Sequence, residues 1–147
     1  MIVLIILLFN FTLLLAPKYN SIPIGREQGL FEKEYLSWAS VNYWIDFYEI
    51  KHPDIVKAQI RLETGNLKSR FCLECNNLFG MNKPRKRETT AIGIDNLMSV
   101  YNHFSESIQD YKLWQDYFYR GGDYYTFLIK RKYAEDKRYI EKLKLYE

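Results

Sequence analysis

Helical periodicity occupies both ends of this chain and fails in the middle, and that interruption is the strongest constraint on its fold. Up to Thr64, and again from Ser105, apolar residues recur every three to four positions, as a helix with one buried side requires. Residues 65–96 lack that pattern. Asn76-Asn77 and Phe79-Gly80 punctuate the stretch as turn signals, and from Met81 onward it is first basic, then Thr-rich, and ends in Gly93-Ile94-Asp95-Asn96. The expected architecture is mainly α (α+β): a helical body with one small irregular or β-hairpin lobe inserted after the second helix.

The helices can be placed individually. From Glu32 to Tyr48, the residues Tyr35, Trp38, Ala39, Tyr43, Ile45 and Phe47 predict one broad apolar face. His52-Pro53-Asp54 breaks that run and opens a second helix over 54–64, with Pro53 near its start and Gly65 as its stop. In it Ile55, Ala58, Gln59 and Leu62 share a side, and Glu63 sits in the last turn at the edge of that face. After the lobe, Ser105 is a candidate N-cap for a helix that buries Ile108, Tyr111, Leu113, Trp114, Tyr117 and Phe118. Gly121-Gly122 ends it, Asp123 caps a further helix over 124–131, and a last one starts near Asp136 and runs to about Leu145.

The length of 147 residues fits one domain, and 48% hydrophobic with 27% charged residues is the balance of a folded protein. Residues 1–16 carry no charged side chain. They are short of the roughly 20 apolar residues that a spanning helix needs, so 1–20 read as a signal peptide or N-terminal membrane anchor and 21–147 as the folded domain. Export to the periplasm, cell envelope or exterior follows as an expectation, with membrane contact only through that segment. The formal net charge of +3 suits an anionic polymer, a nucleic acid or a membrane surface without choosing among them. Glu135, Asp136 and Glu141 interrupt the basic run from Lys130 to Lys144, which reads as a solvated helix face rather than a nucleic-acid patch. Cys72 and Cys75 form a lone CxxC. With only His52 and His103 available, at no zinc spacing, a local disulfide and two free thiols both stay open.

Glu63 alone would be a weak candidate for chemistry, because a glutamate near a helix C-terminus is usually a surface residue and is unfavourably placed for the helix dipole. Its surroundings change that. AQIRLETG (Ala58–Gly65), NNLFGM (Asn76–Met81), SESIQDY (Ser105–Tyr111) and KYAEDKRYIEKLK (Lys132–Lys144) occur in this order. Together they resemble the glucosaminidase domains of bacterial wall hydrolases, of the family-73 glycosidase type found in flagellar and autolysin proteins. The resemblance spans roughly residues 35 to 146.

That resemblance implies a lysozyme-like fold with a glycan groove between its lobes, and hydrolysis of the β-1,4 bond of N-acetylglucosamine in peptidoglycan. Glu63 matches the general acid, which protonates the glycosidic oxygen. Asn76, Asn77, Phe79 and Gly80 match the loop that shapes the groove floor and contacts substrate, and Tyr133 matches an active-site tyrosine. Many relatives carry a second glutamate after a Thr-rich strand. Here Thr89-Thr90 is followed by Ala91, which leaves Glu88 as the preferred second carboxylate and Asp95 as its rival. Glu74 and Asp110 read as structural. The implied partner is the peptidoglycan strand, acted on by a monomer without metal or organic cofactor and without nucleic acid. A muramidase, a lytic transglycosylase or an inactive glycan-binding wall protein would share the same motifs.

Overall fold

The computed structural model describes residues 35–147; the expected leader or anchor, the expected linker and the start of the first predicted helix lie outside the described residues. Helix α1, Trp38–Phe47, starts at Ser37, whose side chain accepts from Ser40 N–H while Ser40 Oγ accepts from Ser37 N–H. This reciprocal cap satisfies two of the free donors at a helix start. Helix α2, Pro53–Thr64, has Pro53 in its first turn and ends on Gly65, whose left-handed backbone (φ +56°) lets its N–H reach Arg61 C=O. Both ends match the expectation from sequence. A short helix α3, Arg70–Cys75, follows where none was predicted; Ser69 caps it by accepting from Cys72 N–H. Six residues are too few to show a periodicity.

The lobe contains an antiparallel hairpin, β1 Gly93–Asp95 and β2 Met98–Val100, with Gly93 opposite Val100 and Asp95 opposite Met98. Its turn residues, Asn96 and Leu97, both have positive φ, which fits the tight mirror-image turn that joins twisted strands. Met98 also bridges back to Asn82. Helix α4, Phe104–Phe118, then crosses the core. Its cap is His103, which accepts from Ser105 N–H, rather than Ser105 itself. Asp123 caps α5, Tyr124–Lys130, as predicted, and α6, Tyr139–Lys144, closes the domain against α2.

Two predicted faces are rotated. In α1 the buried line is Ser40, Val41 and Ile45, while Tyr35 and Phe47 are 66% and 58% exposed. Aromatics occur all round that helix, so periodicity could not choose a side; the contact with α4 does. In α2 the buried residues are Val56, Ala58, Gln59, Ile60 and Thr64. Ala58 and Gln59 of the expected face hold while Ile55 and Leu62 give way to Val56 and Ile60, and the half-buried Glu63 stands at the edge of the core. Cys72 and Cys75 are buried free thiols, and burial lifts Cys72 to about 11, which keeps it an unreactive thiol. Among the described residues no helix is long and apolar enough to cross a membrane.

Candidate active site

Glu63 follows Val56, Gln59 and Ile60 at helical spacing, so its carboxyl leaves the core at the last turn of α2. One oxygen is held: Tyr139, from the start of α6, donates its hydroxyl to Oε1 at 2.9 Å. The other faces Gly80, where a β-carbon would stand 3.5 Å from Oε2. Burial pushes the Glu63 carboxyl above the usual carboxylate range, and the Tyr139 hydrogen bond partly offsets that. Tyr139 is itself pushed up by burial and by the Glu63 charge, so it stays protonated and remains a donor. A half-desolvated acid with one bound and one open oxygen is suited to giving up a proton at neutral pH.

Behind this pair runs a buried chain of hydrogen bonds with one direction. Tyr139 OH accepts from Gln59 Nε2 at 3.4 Å, and Gln59 Oε1 accepts from Tyr111 OH at 2.6 Å. Because Tyr111 has spent its proton there, Tyr124 OH must be the donor in their 2.8 Å contact. Tyr124 in turn accepts from Gln115 Nε2 at 2.6 Å, and Gln115 Oε1 accepts from Lys51 N–H at 3.0 Å. Every link therefore donates toward Glu63, from a backbone amide to the carboxyl. Tyr139 and Gln59 were not among the expected site residues. The readable signals were a polar side chain one helical turn before Glu63 and a second tyrosine six positions after Tyr133.

The loop after α3 supplies the other wall. Asn77 is buried and donates to Met81 C=O and Ser99 C=O while its Oδ1 accepts from Phe79 N–H and Met81 N–H. Asn76, with left-handed backbone, donates to Tyr101 C=O and Asn102 C=O. Phe79 is buried and stacks on Tyr111, centroids 4.1 Å apart. The two asparagine side chains are spent on holding the loop, Phe79 also lines the cleft beside it, and Gly80 lies against the carboxyl. Tyr133 donates to Phe79 C=O at 3.0 Å and packs 5.7 Å from the Tyr139 ring.

Between the loop and helix α4 lies a cleft of about 450 Å³, bordered by Gly80, Trp114, Tyr117, Phe118 and Tyr133. Of the two candidates for a second carboxylate, Glu88 lines a neighbouring hollow with Leu113, Asp116 and Tyr117. Asp95 accepts from Arg70 at 3.1 Å and from Asn96 at 3.0 Å. Glu63 is not among the residues that line the cleft and meets it through Gly80, which faces Oε2; neither Glu88 nor Asp95 lines it. The reason is Arg87: its guanidinium donates to Asp110 at 2.6 Å and to Glu88 C=O at 2.7 Å, which draws that stretch of backbone down onto α4. Asp110 thus braces the lobe. Among the described residues no group of three His, Cys, Asp or Glu could hold a metal ion.

The family model of mannosyl-glycoprotein endo-beta-N-acetylglucosaminidase, termed Glucosaminidase, matches residues 46–146. The chain belongs to the glucosaminidase family. That family is one of glycoside hydrolases, and the helical body with its two-stranded lobe is the lysozyme-like α+β arrangement. No curated protein and no solved structure matches the chain.

Two expected outcomes probe this glucosaminidase site. Tyr139→Phe removes the hydrogen bond that lowers the pKa of Glu63, so the acid stays protonated to higher pH. The alkaline limb of the kcat/KM profile on solubilised glycan should move upward; an unmoved limb would show that Tyr139 does not touch the titrating group. Gly80→Ala places a β-carbon beside Oε2 at a backbone of φ +61°. It should cost about 1 kcal/mol of stability from the left-handed backbone, and lower kcat/KM by much more than that strain explains. Urea titration and initial rates measured on one preparation separate the two effects.

Proposed function

We propose that the chain is an endo-β-N-acetylglucosaminidase that cleaves the β-1,4 bond on the reducing side of N-acetylglucosamine in peptidoglycan, with Glu63 as general acid. The observation that carries this reading is the Glu63 carboxyl, desolvated, held on one oxygen by Tyr139 and open on the other at the glycine edge of the cleft. As the C1–O bond breaks, Glu63 transfers its proton to the departing sugar oxygen. With Glu88 in the neighbouring hollow and Asp95 tied to Arg70, this reading gives the nucleophile's role to the carbonyl oxygen of the substrate's own 2-acetamido group, which attacks C1 and forms a cyclic oxazolinium ion. Water then opens that ring at C1 and returns a proton to Glu63. In this reading the Tyr133 hydroxyl oxygen, whose proton is committed to Phe79 C=O, accepts from the acetamido N–H.

Peptidoglycan lies outside the cytoplasmic membrane, so export belongs to the same reading, with residues 1–20 as leader or anchor ahead of the domain at 21–147. The test is a digest of purified peptidoglycan by the full chain in mild detergent, with fragments reduced by borohydride and weighed. Fragments ending in reduced N-acetylglucosamine support the reading. Reduced muramic acid ends would make the domain a muramidase, 1,6-anhydro-muramic ends a lytic transglycosylase, and no release a glycan-binding protein. In the same assay Glu88→Gln should keep most of the parent's kcat. A catalytic loss as deep as that of the Glu63 variant would instead return Glu88 to the role of second carboxylate.

A further inference from the structure

The cleft carries a charge asymmetry that proton transfer from Glu63 does not require. Arg85 and Lys86 stand on one bank, Arg131 and Lys132 on the other, and no acidic side chain lines it among the described residues. Arg87, beneath the first pair, is consumed by Asp110. The other four are exposed, and among the described residues none of them forms an ion pair. The Arg131 guanidinium lies 3.6 Å over the centre of the Phe118 ring, an arrangement that fixes its plane and leaves its N–H edge for a ligand. Lys132 adopts left-handed backbone (φ +49°), and its N–H bonds to Ile129 C=O while Tyr133 N–H bonds to Leu128 C=O. That turn ends α5 and delivers Lys132 and Tyr133 to the cleft together.

A polymer of N-acetylglucosamine is neutral, and for it aromatic faces and hydrogen bonds would suffice. Four cations gathered without counter-charge repel one another, and an anion bound between them relieves that repulsion. In peptidoglycan the neighbouring sugar bears a lactyl-linked peptide with free carboxylates. We propose that the cleft of this domain binds a stem-peptide carboxylate of the strand being cut, held between Arg85–Lys86 and Arg131–Lys132. The domain then selects peptide-bearing glycan over bare N-acetylglucosamine polymer. This rests on the peptidoglycan reading above and adds the feature of the substrate that the site recognises.

The test uses the full chain carrying Glu63→Gln, so that binding is read without turnover. Calorimetry compares soluble disaccharide-peptide fragments with the same fragments after their carboxylates are converted to amides, and with poly(glycerol phosphate). The native fragments should bind about tenfold more tightly than the amidated ones, the scale of one charge-assisted contact, and added salt should shrink the difference. Arg131→Gln/Lys132→Gln and Arg85→Gln/Lys86→Gln, at exposed positions whose exchange should leave the melting temperature unmoved, should each bring the ratio toward one. Equal affinity for native and amidated fragments overturns the proposal, as does tighter binding of the phosphate polymer. Cleavage of the same fragments by the parent chain is scored in parallel. Cleavage without a charge preference removes this proposal and keeps the glucosaminidase reading, whereas charge-dependent binding without cleavage does the reverse.

Discussion

Glu63→Gln is expected to lower kcat on peptidoglycan by about 10²–10⁴-fold, the usual contribution of a positioned acid, with KM little changed. Glutamine keeps the shape and can still accept from Tyr139, so the loss isolates the missing proton. The same substitution should change stability in a sign that separates function from folding. In the parent, the folded-state pKa of Glu63 lies above that of a free glutamate because of burial. The native state therefore holds a proton that the unfolded chain has released, and stability falls as pH rises from the free-glutamate value through the raised one. The variant lacks this slope. Above that window it should be at least as stable as the parent by thermal melting, while being catalytically crippled. A variant that melts lower at neutral pH than at acid pH, with the parent's slope, would mean that Glu63 is not the desolvated group.

Arg87→Met should produce a large loss of stability, because it breaks a buried ion pair that fastens the lobe. The Arg87 and Asp110 side chains are 5% and 0% exposed, and Asp110 also accepts from Tyr101 OH at 2.8 Å. Removing the guanidinium leaves a buried carboxylate with one neutral donor, which costs about 3–5 kcal/mol for a pair of this kind. Equilibrium urea unfolding measures it directly. Converting Asp110 to Asn in the same chain should restore part of the loss, because the uncompensated charge is gone even though the ion pair is not rebuilt. If Arg87→Met unfolds with the parent's midpoint, the pair is not what secures the lobe. Thr90 Oγ1, which donates to Glu106 C=O at 2.6 Å, would then be the next fastening to remove. Loosening this lobe should also lower activity, since it carries one bank of the cleft.

These expectations differ in how far they could be foreseen. The choice of Glu63 came from the resemblance carried by LETG and the motifs that follow it, at a helix end marked by Pro53 and Gly65. The surroundings of its carboxyl were not legible. The hydroxyl that grips it belongs to Tyr139, 76 positions away, and nothing in the local pattern distinguishes a tyrosine that packs from one that donates. Glu88 stood next to the expected place in the chain, yet backbone drawn toward Asp110, 23 positions on from Arg87, puts it in a different hollow. Asn77 and Phe79 were expected to shape the groove; the Asn77 side chain is spent on the loop's own backbone, and Phe79, stacked on Tyr111, is among the residues that line the cleft.

Interactions that close within about four residues were written in the sequence: the proline start and glycine stop of α2 and the Asp123 cap. They depend on backbone sterics and on donors left free at helix ends, which each short segment carries wherever it is placed. Which face of α1 is buried, which oxygen of Glu63 is open and which basic side chains share a cleft depend on what packs opposite. Aromatic residues all round α1 satisfy many packings equally, and only closure of the whole chain, with α4 and α6 laid across α1 and α2, selects one.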